Sequence, residues 1–372
     1  MDEIIKIRRQ IHQNPELSFC EYKTAETVAK YLEKLGLSPR CGIAKTGVTA
    51  DIKGGEGKTI LLRADMDALP VTEQTGLSYA SENSGVMHAC GHDAHIAVLL
   101  MCARILCENK DRLCGTVRLV FQPGEETAGG ALPMINEGIL ENPKVDAAFA
   151  YHVTNEAPTG SVIIKKGSLM ASPDNFYITV KGIGGHGGQP KNCKNPINIA
   201  AQIVNMLNKI ICENYYVLSV CSIKSGSSEN VVPDAAYISG TARTLTPAAR
   251  DYIQNAIENV CADAAKQYET SVECDFVRLY PPLINDEKMI DMFSKTARRV
   301  LGAEHVLTQK NADMIGEDFS YFAQEVPACM VKLGGATAPL HSPNLTVDDE
   351  AVFTGAKLMS EFVFDYLKQD MA

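Results

Sequence analysis

The chain has 372 residues, more than the roughly 250 to 300 at which a single core stops growing, so two domains are expected. A formal charge of -10 with no run rich in Lys and Arg excludes the backbone of DNA or RNA as a partner. No stretch reaches the roughly 18 apolar residues of a membrane span, and MDEIIKIRRQIHQNPE is too charged for the core of a signal peptide, so no membrane association and a cytoplasmic location are expected.

In chain order, helical spacing predicts helices over Ile4 to His12 and Lys23 to Leu35. TGVTADIKG and TILLRAD read as strands, followed by a helix from His92 through Leu106 and by the short β-rich runs GTVRLVFQ, VDAAFAYH and ACMVKLGG. Strands alternating with helices indicate an α/β fold, an open mixed sheet covered by helices. Between about Asp174 and Tyr280 the rhythm changes. NFYITVKG, a helix from Pro196 to Cys212, YVLSVCSIK, AAYISGTART, a helix from Pro247 to Gln267 and TSVECDFV follow the ferredoxin-like order βαββαβ. The expected organisation is therefore an α/β domain of residues 1–173 and 285–372, interrupted by a ferredoxin-like α+β domain of residues 174–284. The twelve cysteines are scattered and none forms a CxxC pair, which favours reduced, buried thiols over a disulfide framework.

In open α/β sheets ligands bind beyond the carboxyl ends of the strands. There TILLR leads into Asp65 and Asp67, TVRLVF into Gln122, Glu125 and Glu126, VDAAFAY into His152, and ACMVKLGG into His341 a short loop later. MHACGHDAH adds Cys90, His92 and His95 at a helix entrance, where backbone N–H groups favour a thiolate. One such residue would read as a cap or a satisfied core group, but five loops carrying metal-ligand chemistry to one sheet edge are harder to dismiss. Three His, one Cys and one Glu exceed the needs of one tetrahedral ion, whereas two divalent ions sharing a bridging ligand account for the surplus. Two dications against one thiolate and one carboxylate leave the site positive, so it draws an anionic substrate. Pro123-Gly124 frees Glu125 and Glu126 from strand alternation, so one can ligate while its neighbour acts on the water.

Other readings are weaker. Gly182, Gly184 and Gly187 form the G-x-G-x-x-G of a dinucleotide site, but two prolines follow where the phosphate-binding helix should open. Cys90 with His92 could be a nucleophile and its base, which leaves Glu126, His152 and His341 without a shared purpose. A metal-holding protein without catalysis would not need Glu125. His88 reads as structural, and His95, one turn after His92, as a support for the ligands.

Six motifs, RADMDALP (Arg63 to Pro70), MHACGHDAH (Met87 to His95), QPGEE (Gln122 to Glu126), GGHGGQP (Gly184 to Pro190), GEDFS (Gly316 to Ser320) and LHSPN (Leu340 to Asn344), span nearly the whole chain. In that order they resemble the dinuclear-metal aminoacylase and carboxypeptidase family. The resemblance is strongest to its amidohydrolase branch of hippurate hydrolases, bacterial N-acyl-amino-acid amidohydrolases and plant auxin-conjugate hydrolases. It implies that Cys90 bridges two divalent ions per subunit (Zn, Mn, Co or Ni), with His92 and His152 on one and Glu126 and His341 on the other. Glu125 would be the general base, and Asp65 a carboxylate that orients a ligand. His186 matches a lid histidine that reaches the active site of a partner in a homodimer and stabilises the oxyanion. Asn230 and Arg243 match contacts to the substrate's carboxylate. The implied activity is metal-dependent hydrolysis of N-acyl amino acids, or alternatively of short peptides, with the inserted domain serving as lid and dimerisation surface. Ala94, where the branch has glycine, and Leu345, where phenylalanine is commoner, depart from the pattern without touching a proposed ligand.

Overall fold

The computed structural model describes residues 2–127 and 129–368, so Met1, Ala128 and residues 369–372 of the expected larger domain lie outside the described residues. The chain divides into two compact units. One comprises the residues up to Gly167, Ile284–Asn311 and those from Asp318 onward; the other is Ser168–Leu283 with Ala312–Glu317.

The first unit is built on an eight-stranded mixed sheet. Its centre is the parallel set Thr116–Gln122, Thr59–Asp65, Ala147–Thr154 and Ala328–Gly334, neighbours in that order. Every residue of these four strands is buried, the mark of a sheet covered on both faces. Register aligns their carboxyl ends: Asp65 pairs with Gln122, and Lys332 with His152. The helix His92–Glu108, buried throughout its first three turns, packs on the sheet beside Asp349–Lys368. Ala94 and Leu345, the two departures noted above, are both 1% exposed members of this core.

The second unit is a four-stranded antiparallel sheet ordered Tyr216–Lys224, Ala235–Thr244, Ser172–Lys181, Val272–Val277, with the first and third strands of the βαββαβ run in the middle. Helices Pro196–Leu207 and Pro247–Tyr268 bury Ile199, Ile203, Ile253 and Ile257 against Phe176, Ile178 and Ile238. Each starts with Pro after a capping side chain, Asn195 or Thr246. The first helix stops at Leu207 instead of continuing to Cys212. Asn208 caps it, a turn returns the Lys209 and Ile210 amides to Met206 and Leu207, and Ile211 is 80% exposed, so no apolar face remains to extend it.

Candidate metal centre and active site

The parallel register brings the chemistry of the first unit to one edge. Asp65 ends its strand, Gln122 ends the neighbouring one and releases Pro123-Gly124 into Glu125 and Glu126, and His152 lies near the end of a third. The His341 loop is tied to the Cys90 loop by the His341 N–H, which donates to the Ala89 carbonyl at 2.8 Å. Gly91, at φ 82°, lets the chain turn into the helix that carries His92, and a Cβ there would lie 2.6 Å from a Val153 methyl.

Five donor groups form among the described residues, and Cys90 belongs to two of them. The ligand atoms of Cys90, His92 and His152 lie within 4.8 Å of one another, as do those of Cys90, Glu126 and His341. Cys90 Sγ is 3.4 Å from His152 Nε2, Glu126 Oε1 is 3.4 Å from His341 Nε2, and His92 Nε2 is 3.8 Å from Glu126 Oε1. Ligands about 2.1 Å from a tetrahedral ion sit about 3.4 Å apart, so these gaps match the edges of a coordination sphere. Buried polar atoms are nearly always hydrogen-bonded, yet His92 Nε2 and Glu126 Oε1 are buried with no hydrogen-bond partner. The donor set of thiol, imidazole and carboxylate therefore fits a pair of borderline divalent ions.

Supporting hydrogen bonds set the tautomers. His92 Nδ1 donates to the Asp67 carbonyl and His152 Nδ1 to the Val153 carbonyl, both at 2.8 Å, which leaves each Nε2 lone pair facing Cys90. His95 is different, because its Nδ1 donates to Asp65 at 2.5 Å while its Nε2 accepts the Val153 N–H at 2.9 Å. It orients Asp65 and has no lone pair to spare. Asp65 also takes a 2.6 Å ion pair from Arg63, which reaches on to Asp318, itself held by Gln122 and the Ala131 amide. Asp67 accepts the backbone N–H groups of Glu125 and Glu126 on its two oxygens, at 3.1 and 3.0 Å.

Charge balance explains the pKa directions. Burial opposes a charged His92, but Asp65, Asp67 and Glu126 outweigh it and raise the imidazole to about 10. Burial, with His95 nearby, lowers His152 to about 3, so it stays neutral. Glu126 raises His341 more than partial burial lowers it. The expectation that the helix entrance makes Cys90 a thiolate is not met by the protein alone: burial, then Glu126 and Glu125, push the thiol well above its ordinary value. A dication in place of the proton on His92 reverses that balance, since a coordinating thiol is deprotonated outright.

In the second unit, His186 lies in a two-residue strand paired with Val231–Val232, and its Nδ1 accepts the Gly188 N–H at 2.9 Å. The ring thus presents Nε2–H outward as a donor. The Asn230 carbonyl accepts the Gly187 N–H at 2.7 Å, which fixes it beside His186. Arg243 is half-buried in its strand, and its guanidinium makes no hydrogen bond among the described residues. No α-helix opens at Gly187, only the three-residue 3-10 turn Pro190–Asn192, so the dinucleotide reading fails.

Sequence reasoning missed Arg63 with Asp318, and a buried cluster behind His92. There Asp93 accepts from Arg8 at 3.0 Å and lies 3.1 Å from His12, whose other nitrogen is 3.3 Å from Glu73. Burial opposes charge on His12, but Asp93 and Glu73 raise it to about 9. Burial, helped by His12 and His92 and only partly offset by Asp93, drives His88 down to about 4. The only local signal was the period-two placement of Arg63, Asp65 and Asp67; nothing near Arg8 or His12 points 81 residues ahead.

The chain matches the sequence profile of Peptidase family M20/M25/M40 over residues 61–365. It is 39% identical to thermostable carboxypeptidase 2 of Saccharolobus solfataricus, covering 95% of this chain and 93% of that one. To the N-acetylcysteine deacetylase of Bacillus subtilis it is 37% identical, over 96% and 95% of the two chains. The solved Bacillus subtilis YXEP protein, described as a dinuclear metal binding peptidase from the M20 family, superposes with a TM-score of 0.88 at 35% identity over 98% of both chains.

Proposed function

From the premise that the chain belongs to peptidase family M20/M25/M40 and hydrolyses amide bonds, we propose that it splits N-acyl amino acids into a carboxylic acid and a free amino acid with two divalent ions. The observation that carries this reading is the pair of donor groups sharing Cys90, with Glu125 adjoining Glu126. Cys90, His92 and His152 would hold one ion, and Cys90, Glu126 and His341 the other. When bound, the ions polarise the acyl carbonyl and bring the pKa of a water to about 7. Glu125 takes that water's proton and passes it to the leaving nitrogen, its backbone fixed by Asp67. Asp65, clamped by Arg63 and His95, keeps the negative field against which His92 is oriented. In a homodimer, His186 of one subunit would offer its Nε2–H to the oxyanion in the site of the other, and Asn230 and Arg243 would take the substrate's carboxylate.

Affinity favours zinc, and availability selects among Zn, Mn, Co and Ni. The location proposed for this enzyme is cytoplasmic; separately, no helix among the described residues is long and apolar enough to cross a membrane. A homodimer joined through the second unit accords with the edge position of Tyr216–Lys224 and with exposed Ile211, Tyr215 and Ile223. Similarity to a carboxypeptidase supports a second reading, cleavage of short peptides by the same groups.

The test is a panel of acetyl- and benzoyl-amino acids and dipeptides, following released amine, on protein stripped with chelator and then reloaded. Stripped protein should be inert and reloaded protein active, with acyl-amino acids turned over faster than dipeptides. Glu125→Ala should keep both ions and lose roughly 10³-fold or more in kcat. Undiminished turnover after stripping, or a Glu125→Ala rate near the parent's, overturns the reading.

A further inference from the structure

The turn joining the first two helices, Glu3–Gln13 and Tyr22–Lys34, carries an acid that does no capping work. Glu21 is fully buried and stands at the N-terminus of the second helix, yet its side chain makes no capping bond. Glu16 caps instead, accepting the Lys23 and Thr24 amides at 3.2 and 2.9 Å. The Glu21 carboxylate is spent at long range. Its Oε1 accepts the N–H of Phe19 and that of Gly124, both at 2.9 Å, and its Oε2 accepts the Thr46 hydroxyl at 2.5 Å.

Gly124 immediately precedes Glu125 and Glu126. It sits at φ 67°, where a Cβ would lie 2.5 Å from the Phe19 ring, so the glycine and the turn are fitted to each other. The same turn reaches the other side of the pair, because the Ser18 hydroxyl donates to Asp67 Oδ2 at 2.7 Å, and Asp67 holds the Glu125 and Glu126 amides. Residues Ser18 to Glu21 therefore brace the peptide that launches both acids from before and below.

We propose that Glu21 is a positioning residue: by holding the Gly124 amide it fixes the direction in which Glu125 and Glu126 leave their strand. The proposal rests on the roles given above to those two acids. Catalytic groups displaced by about 1 Å can lose roughly 10²-fold in rate, which is the scale at which a loosened Gly124 peptide would act.

Three variants separate positioning from simple support of the fold. Glu21→Ala removes the acceptor for the buried Gly124 amide and the partly buried Phe19 amide. Glu21→Gln keeps Oε1 for both, and its NH₂ meets a Thr46 hydroxyl that can rotate to accept. Thr46→Val removes only the Oε2 contact and serves as the stability control. On metal-loaded protein, Glu21→Ala should lose roughly 30- to 100-fold in kcat with KM changed by about twofold or less. Glu21→Gln should stay within about threefold, and Thr46→Val should lose melting temperature but not kcat. Amide hydrogen exchange across residues 121–127 gives a readout independent of turnover, faster in Glu21→Ala than in the parent and unchanged in Glu21→Gln and Thr46→Val. If no amide is hydrolysed by the parent, the proposed function fails while exchange at Gly124 still decides on the brace. Parent-like exchange in Glu21→Ala, or a kcat no lower than that of Thr46→Val, overturns it.

Discussion

In the first unit Cys90, His92 and His152 are buried, and each imidazole spends its Nδ1–H on a carbonyl; in the second, His186 and Asn230 are exposed and Arg243 is half-buried with no hydrogen bond from its guanidinium among the described residues. The contrast separates two ways of building a polar site. The first group is aimed before any ligand arrives, by Asp65, Asp67, His95 and the Val153 backbone, so its unspent capacity is concentrated in atoms such as His92 Nε2 and Glu126 Oε1. The second group lies at the surface of its own unit, where, in the proposed reading, an anionic ligand would partner the Arg243 guanidinium. Damage to the first should therefore cost ions and fold together, and damage to the second should cost rate alone.

The sharpest form of that contrast is Cys90→Ala, which removes the atom common to both donor groups. We expect metal analysis of purified protein to fall from two ions towards none, with activity down by roughly 10⁴-fold or more. His341→Ala should release one ion and keep the other, because Cys90, His92 and His152 remain. Two retained ions in Cys90→Ala would break the bridged arrangement.

A smaller effect is expected in the second unit. His186→Ala should lower kcat by roughly 10²- to 10³-fold through loss of one oxyanion donor, with metal content and melting temperature unchanged. A fall in bound metal in this variant would erase the distinction drawn between the units.

The mildest prediction concerns the charges behind His92. His12 is raised from 6.5 to about 9 in the folded protein, so its contribution is complete below pH 6.5 and drains away as pH climbs through about 9. His12→Gln should lower stability by on the order of 3 kcal/mol at pH 6, and by much less at pH 10. Parallel melting curves for parent and variant across pH 6 to 10 would show that Asp93 and Glu73 do not hold a charged imidazole.

Motif order singles out Cys90, His92, Glu126, His152 and His341 as candidate ligands, because each follows a recognisable strand or opens a helix and their chemistry is that of metal ligands, and the structure brings their donor atoms together. The structure adds which of several similar residues are free to act. His95 and His92 share a helix face, and spacing treats them alike, but the Val153 amide occupies His95 Nε2 whereas His92 Nε2 has no hydrogen-bond partner. Glu21 reads as an ordinary helix start, and its bond to Gly124, 103 residues later, has no local trace.

Composition and periodicity by themselves determined an α/β chain interrupted by a βαββαβ segment, with donor-rich loops at the strand ends. Tertiary structure decided which donors share Cys90, which nitrogen each histidine offers, and how Asp67 and Glu21 hold the turn before Glu125. The division has a physical cause: side-chain periodicity is written within a few residues, whereas a hydrogen bond between distant segments depends on strand order and register, which no local pattern encodes.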